Sequence, residues 1–367
     1  MSPRIYRSQP IGSLLRPAYL REARRALRNG ETSAAQYKRV EDRAVDEALA
    51  LQEAAGLDVI NDGEQRRLSF LGSLLDACVG LSRSAAVTQP WHEDDGRVVS
   101  LSLGLAVTGK LRRRRPLAIE EFVYARARAR RPLKMTLPSP MILFMFWSPT
   151  ESTAAYRDPF EMFADAAAIV REEIAELARL GCEYIQIDAP ELTNLVDPDI
   201  SRMLLAERGI APARMLTEGV ELVDSLAAAA PGVTFGLHLC RGNNDGRWLA
   251  RGGYDTIARE LFRRATHFHE FLLEYDDARA GSFEPLREVP RDKRVVLGLV
   301  STKRNVLESA DALRARIEEA ARFFPREQLA LSPQCGFASG VKGNPVEPAM
   351  QERKLTLVAE LAREVWG

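Results

Sequence analysis

The stretch Pro159–Asp188 reads PFEMFADAAAIVREEIAELARLGCEYIQID. In it Phe163, Ala166, Ala167, Val170, Ile174 and Leu177 recur at helical spacing. One stripe of a helix over Pro159–Leu180 therefore faces a core. Tyr184–Ile187 follows as a short apolar run of strand type. The same alternation runs outward in both directions. Strand candidates are Arg4–Ile11, Leu57–Asn61 and Leu133–Thr136 upstream, then Thr234–Leu239, Phe268–Leu273, Val295–Val300 and Leu329–Leu331 downstream. The other clear helical patterns are Ala34–Ala55, Ala213–Ala229, Ala310–Phe323 and Val346–Val365. Alternating strands and helices predict a parallel sheet with helices outside. Eight strands predict closure into a (β/α)8 TIM barrel, one α/β domain over residues 1–367.

Leu68–Pro132 fits this rhythm worst. It holds Trp91, the acidic pair Asp94 and Asp95, a hairpin-like Val98–Gly109 and the run Arg112–Arg115. It reads as an insertion after the second strand, a lid or a homo-oligomer contact. Its arginines, with Arg126, Arg128, Arg130 and Arg131 beyond them, read as a solvated face rather than an anion site.

Composition excludes several classes. The 367 residues carry 51 Lys plus Arg against 51 Asp plus Glu, a formal charge of zero. Nucleic acid and anionic membrane surfaces both select a basic excess, so neither is expected as a partner. No apolar run approaches the ~20 residues of a membrane helix, and Met1–Pro10 has no signal-peptide character. Four cysteines in such a chain argue against a disulfide framework. A cytoplasmic location is the default expectation.

Those cysteines divide. Cys78 lies in the apolar run Leu71–Leu81 and Cys182 precedes Tyr184–Ile187, so both read as small core residues. His238-Leu239-Cys240 ends an apolar strand, where residues two apart share a face and offer an imidazole and a thiolate to one ion. Alone, that pair is equally a hydrogen-bonded histidine and a buried cysteine. Ser332-Pro333-Gln334-Cys335-Gly336-Phe337 adds a second cysteine after another strand, and a barrel gathers strand ends at one mouth. Glu274 ends Phe268–Leu273 and supplies a carboxylate. His238, Cys240, Glu274 and Cys335 together suit tetrahedral Zn²⁺, and their scatter along the chain suits a catalytic site. Two thiolates and a carboxylate leave such a zinc a weak Lewis acid that still lowers the pKa of a bound thiol. Thiol alkylation fits that balance better than hydrolysis.

Ile11-Gly12-Ser13, DVINDGEQRR (58–67), YIQIDAP (184–190), HLCRGN (238–243), LEYDD (273–277) and SPQCGF (332–337) closely resemble the cobalamin-independent methionine synthase superfamily. The likeness is to its short single-barrel members, covers nearly the whole chain and keeps the motif order. The resemblance implies a barrel with a catalytic zinc on His238, Cys240, Glu274 and Cys335. It implies a homocysteine-like thiol held at Ile11, Ser13, Glu64 and Asp188. The turn's donors suit the carboxylate, and the two acids suit the ammonium. PMILFMFWS (140–148) resembles the stretch whose tryptophan packs on a folate-like methyl donor, which points to Trp147; ordinary packing is the other reading. Two departures stand out. Ala189-Pro190 follows Asp188 where the family usually has Glu-Pro. Gly298–Glu308 has Ser301 and Lys303 but not the family's acid-catalytic histidine, leaving Lys303 as the candidate proton source despite an ordinary pKa near 10.4.

Three readings follow. The first is homocysteine S-methylation from 5-methyltetrahydrofolate or a related donor. The second keeps zinc and changes the thiol or the electrophile, as in epoxide–thiol addition. The third is a barrel that binds without turnover. Retention of both Glu64 and Asp188 favours the first.

Overall fold

The computed structural model describes residues 5–367. Arg4, which opens the expected strand 4–11, lies outside them. Four short strands fall within 68–132: β1 (Cys78–Arg83), β2 (Thr88–His92), β3 (Val98–Ser102) and β4 (Leu105–Arg113). The remaining six are β5 (Met135–Pro138), β6 (Tyr184–Asp188), β7 (Thr234–Leu239), β8 (Glu270–Glu274), β9 (Arg294–Val300) and β10 (Leu329–Pro333). These six form one parallel sheet in the order β10-β9-β8-β7-β6-β5.

Two shorter extended segments join the edges of that sheet. Ser8 bridges Leu331 of β10 in parallel, with Leu331 N–H donating to Arg7 O at 2.8 Å. Asp58 N–H donates to Ser8 O at 3.1 Å, and Ile60 bridges Leu133 in parallel just before β5. The first two expected strands are thus present as single bridges at the two edges of the sheet. Their shortness has a local cause. Asp58 Oδ2 accepts from the N–H groups of Arg7 and Ser8 at 2.7 and 3.1 Å, taking donors that a ladder would use. Pro10 then has no N–H to give.

The helices fall where the apolar stripes place them. Ala34–Ala55 begins on a capping box of Ser33 and Gln36 and ends on left-handed Gly56. Pro159–Arg179 starts on an Asp158 cap with proline at its first position and buries Phe163, Ala166, Ala167, Val170, Ile174 and Leu177. The pattern Ala213–Ala229 departs from a plain helix: Met215–Gly219 is a π turn before Val220–Ala228. There a Cβ on Gly219 would lie 2.3 Å from Met141 Cε, so the backbone is wrapped tightly around that side chain.

Residues 68–132 fold as two antiparallel pairs, β1 with β4 and β2 with β3, followed by the helix Ile119–Arg126. They are tied to the sheet's C-terminal end. Phe70 N–H donates to Ser339 O at 3.0 Å. His92 and Trp248 exchange backbone bonds of 2.8 and 3.1 Å, and their rings stack at 4.4 Å. Glu93 adds an ion pair to Arg247 at 2.8 Å. Cys78 and Cys182 are buried. Among the described residues no helix is long and apolar enough to cross a membrane.

Candidate functional site

Alternation along β7 turns His238 toward the cavity, and Cys240 repeats that direction just beyond the strand. β10 ends at Pro333, and Cys335 follows in a loop whose Gln334 accepts from Thr302 N–H at 2.9 Å. The two loops converge, so that ligand atoms of His238, Cys240 and Cys335 all lie within 4.8 Å of one another. All three are buried, and neither ring nitrogen of His238 has a hydrogen-bond partner. A buried imidazole without partners beside two sulfurs fits a thiophilic ion such as Zn²⁺ better than a structural role. The sulfurs are 3.9 Å apart. Their mutual hydrogen bond holds the Cys335 thiol well below its ordinary range and pushes Cys240 up. Gly336 permits this convergence, because a Cβ there would stand 2.2 Å from Ser13 Oγ.

Glu274 ends β8 beside this group but is not one of the three clustered residues. Its Oε2 accepts from Arg241 N–H at 2.6 Å and its Oε1 from Lys303 Nζ at 2.8 Å. Burial alone would lower the Lys303 pKa, but Glu274 and Asp276 outweigh it and hold the ammonium above its ordinary range. Lys303 does not line the cavity below. A charge paired with Glu274 in this way gives up its proton less readily than a free lysine.

Ile11, Ser13, Glu64 and Asp188 line the same cavity, with Asp188 in register beside His238. Glu64 adopts φ 53°, left-handed for a non-glycine residue. The turn is held there by Asp62 Oδ1, which accepts from Glu64 N–H at 2.9 Å, and by Arg16, which bonds Glu64 O at 2.9 Å. Thr136 Oγ donates to Glu64 Oε1 at 2.7 Å, while Oε2 has no protein partner. Arg67 stands behind, 3.5 Å from Glu64 Oε1, and is itself gripped by Glu121 at 2.7 and 2.9 Å. Asp188 Oδ1 accepts from Gln186 Nε2 at 2.7 Å, and burial raises its pKa to about 7.

The cavity that these residues share measures about 370 Å³. Its lining includes Trp91, Leu101, Leu103 and Leu105 from residues 68–132, together with Ile142 and Phe146. The segment 140–148 thus contributes to the wall through a 3-10 turn, Pro140–Phe146, rather than through Trp147. Trp147 is buried, and its indole N–H donates to Arg208 O at 3.0 Å. The sequence reading did not assign Trp91 or the leucines to the site. Leu101, Leu103 and Leu105 recur two apart, but a bend at Gly104 with φ 71° separates the strands that carry them, so alternation along one strand could not have assigned them a shared face.

A family model described as the catalytic domain of cobalamin-independent synthases matches residues 8–352. The YxjH protein of Bacillus subtilis is 34% identical over 369 residues, covering 98% of this chain and 95% of its own. A methionine synthase of Saccharolobus solfataricus is 25% identical over 327 residues, 89% of this chain and 86% of its own. In fold, the chain is similar to a B12-independent methionine synthase from Shewanella sp. W3-18-1, solved with selenomethionine. The TM-score is 0.75 at 19% identity, over 99% of this chain and 98% of that one.

Proposed function

The chain belongs to the family of cobalamin-independent synthase catalytic domains, and from that premise we propose that it methylates the sulfur of homocysteine to give methionine. The methyl group comes from 5-methyltetrahydrofolate or a related donor. One observation carries the reading: a buried His–Cys–Cys group and two buried carboxylates, Glu64 and Asp188, open on the same cavity. A thiol bearing an ammonium group matches both sets of residues at once.

In this reading His238, Cys240 and Cys335 hold Zn²⁺, with Glu274 as the fourth ligand and Lys303 balancing the added negative charge. The ion supplies a lowered thiol pKa while leaving the sulfur nucleophilic. The chain's own residues do the positioning. The free Oε2 of Glu64 and the carboxyl of Asp188 take the ammonium, and the Ile11–Ser13 turn takes the carboxylate. The sulfur is then fixed for in-line approach to a methyl carbon under the apolar wall.

The test is mass-spectrometric detection of methionine from homocysteine and a CD3-labelled donor with zinc-loaded protein, set against Cys335→Ser. Labelled methionine from the parent and none from the variant supports the reading. Wild-type zinc binding and turnover in Cys335→Ser would sink the metal assignment.

A further inference from the structure

Lys134 stands just before β5, fully buried, and it does not line the cavity. Its ammonium donates to Gln9 Oε1 at 2.9 Å, to Gln186 Oε1 at 2.7 Å and to Pro10 O. All three partners are neutral amide oxygens, so each proton of the ammonium is used and none goes to a carboxylate. Burial pushes the Lys134 pKa from 10.5 down to about 7, against the pull of Glu270, Asp188 and Glu64. A buried cation without a carboxylate contact is costly to hold. This one reaches, from behind, both groups of residues that the amino-acid end of the thiol would meet.

We infer that Lys134 is a positioning residue that orients both halves of that amino-acid subsite. The inference rests on the thiol-methylation reading above. One half takes the substrate ammonium. Gln186 and Asp188 are two apart on β6 and share a face. An ammonium can only donate, so it fixes Gln186 with its oxygen toward Lys134 and its NH2 toward Asp188. There Nε2 donates to Asp188 Oδ1 at 2.7 Å. Without Lys134 the amide is free to turn over and set its oxygen against the carboxylate. The other half is the turn Ile11–Ser13. The peptide between Pro10 and Ile11 is trans, so its C=O and N–H point opposite ways. Lys134 holds Pro10 O, which turns Ile11 N–H to the side away from Lys134. Gln9 braces the ammonium: its Oε1 also accepts from Tyr184 Oη at 2.9 Å, and its Nε2 donates to Glu270 Oε2 at 3.3 Å.

The experiment titrates zinc-loaded full-length parent, Lys134→Met and Gln186→Met calorimetrically at pH 6.5. The probes are homocysteine, 4-mercaptobutanoate (no ammonium), 3-mercaptopropylamine (no carboxylate) and propanethiol (neither). Lys134→Met is expected to bind homocysteine about 10-fold more weakly, the size of loss found when outer partners of a site are altered. Its affinity for propanethiol should equal the parent's. Gln186→Met should weaken homocysteine and 3-mercaptopropylamine to the same extent and leave the other two thiols unchanged. That variant keeps the inference open to refutation if Lys134→Met does not fold. Equal weakening of all the thiols would reduce both residues to general packing and overturn the assignment. Parent affinity for homocysteine in either folded variant would overturn it too. A parent that binds homocysteine no more tightly than propanethiol would instead bring down the underlying reading.

Discussion

Nζ of Lys303 donates to Oε1 of Glu274 at 2.8 Å, with both side chains almost wholly buried. Removing one partner of a buried ion pair leaves the other uncompensated, at a cost of about 3–5 kcal/mol. Lys303→Met is therefore expected to lower unfolding stability by that order in urea titrations of metal-free protein, and Lys303→Arg by much less. If Lys303 were instead the proton source, Lys303→Met would retain its stability and lose chiefly turnover number. Equal stability of parent and variant would dismiss the ion-pair role.

Glu121 lies far along the chain from Glu64, yet one arginine links them. Its carboxylate grips Arg67 through Nε and Nη2, and Arg67 reaches Glu64 Oε1 and donates to Thr136 O at 2.9 Å. Glu121→Gln keeps the volume and loses the charge, so Arg67 is drawn more strongly onto Glu64 and competes with the substrate ammonium. Homocysteine affinity should fall roughly 10-fold, the size of effect seen when outer partners of a site are altered. A thiol without an amino group should bind as before. Equal weakening of both thiols in calorimetry would mean that Glu121 acts only through general packing.

Trp147 offers the opposite expectation to the one its sequence context raised. Its side chain makes its polar contact through the indole N–H to Arg208 O, and it does not line the cavity. Trp147→Phe should lose one buried hydrogen bond, about 1–2 kcal/mol with the unpaired carbonyl included, while KM for both substrates stays put. A raised KM for the donor at unchanged stability would return Trp147 to the site.

The barrel was legible because its signals are local: each helix stripe and each apolar strand can be read without knowing its neighbours. The metal-ligand candidates were legible for a related reason, since strand ends of a barrel converge wherever they lie in the chain. What was not legible depends on long-range contact. Lys303 and Glu274 are separate motifs until β8 and the loop after β9 place them together. Trp91 reaches the site only because His92 and Trp248 pair across distant loops. The first two strands were readable as extended segments, but not as single bridges, because Asp58 diverts their donors.

Glu191 carries the clearest pH dependence. It stands three residues beyond Asp188, wholly buried, and neither carboxyl oxygen has a well-formed hydrogen bond, Ser139 being its side-chain neighbour. Burial pushes its pKa from 4.5 to about 8. The unfolded chain releases that proton near 4.5, whereas the folded chain keeps it until about 8. The stabilisation is thus complete below the lower value and is lost as pH rises through the upper one, at up to about 1.4 kcal/mol per pH unit. Asp188, raised from 3.8 to about 7, acts in the same sense. Urea midpoints of metal-free protein should therefore decline from pH 5 to pH 9. Glu191→Gln cannot ionise, so its decline should be shallower and its stability at pH 9 should exceed the parent's. Parallel curves for the two proteins would show that Glu191 is already ionised in the fold at pH 5.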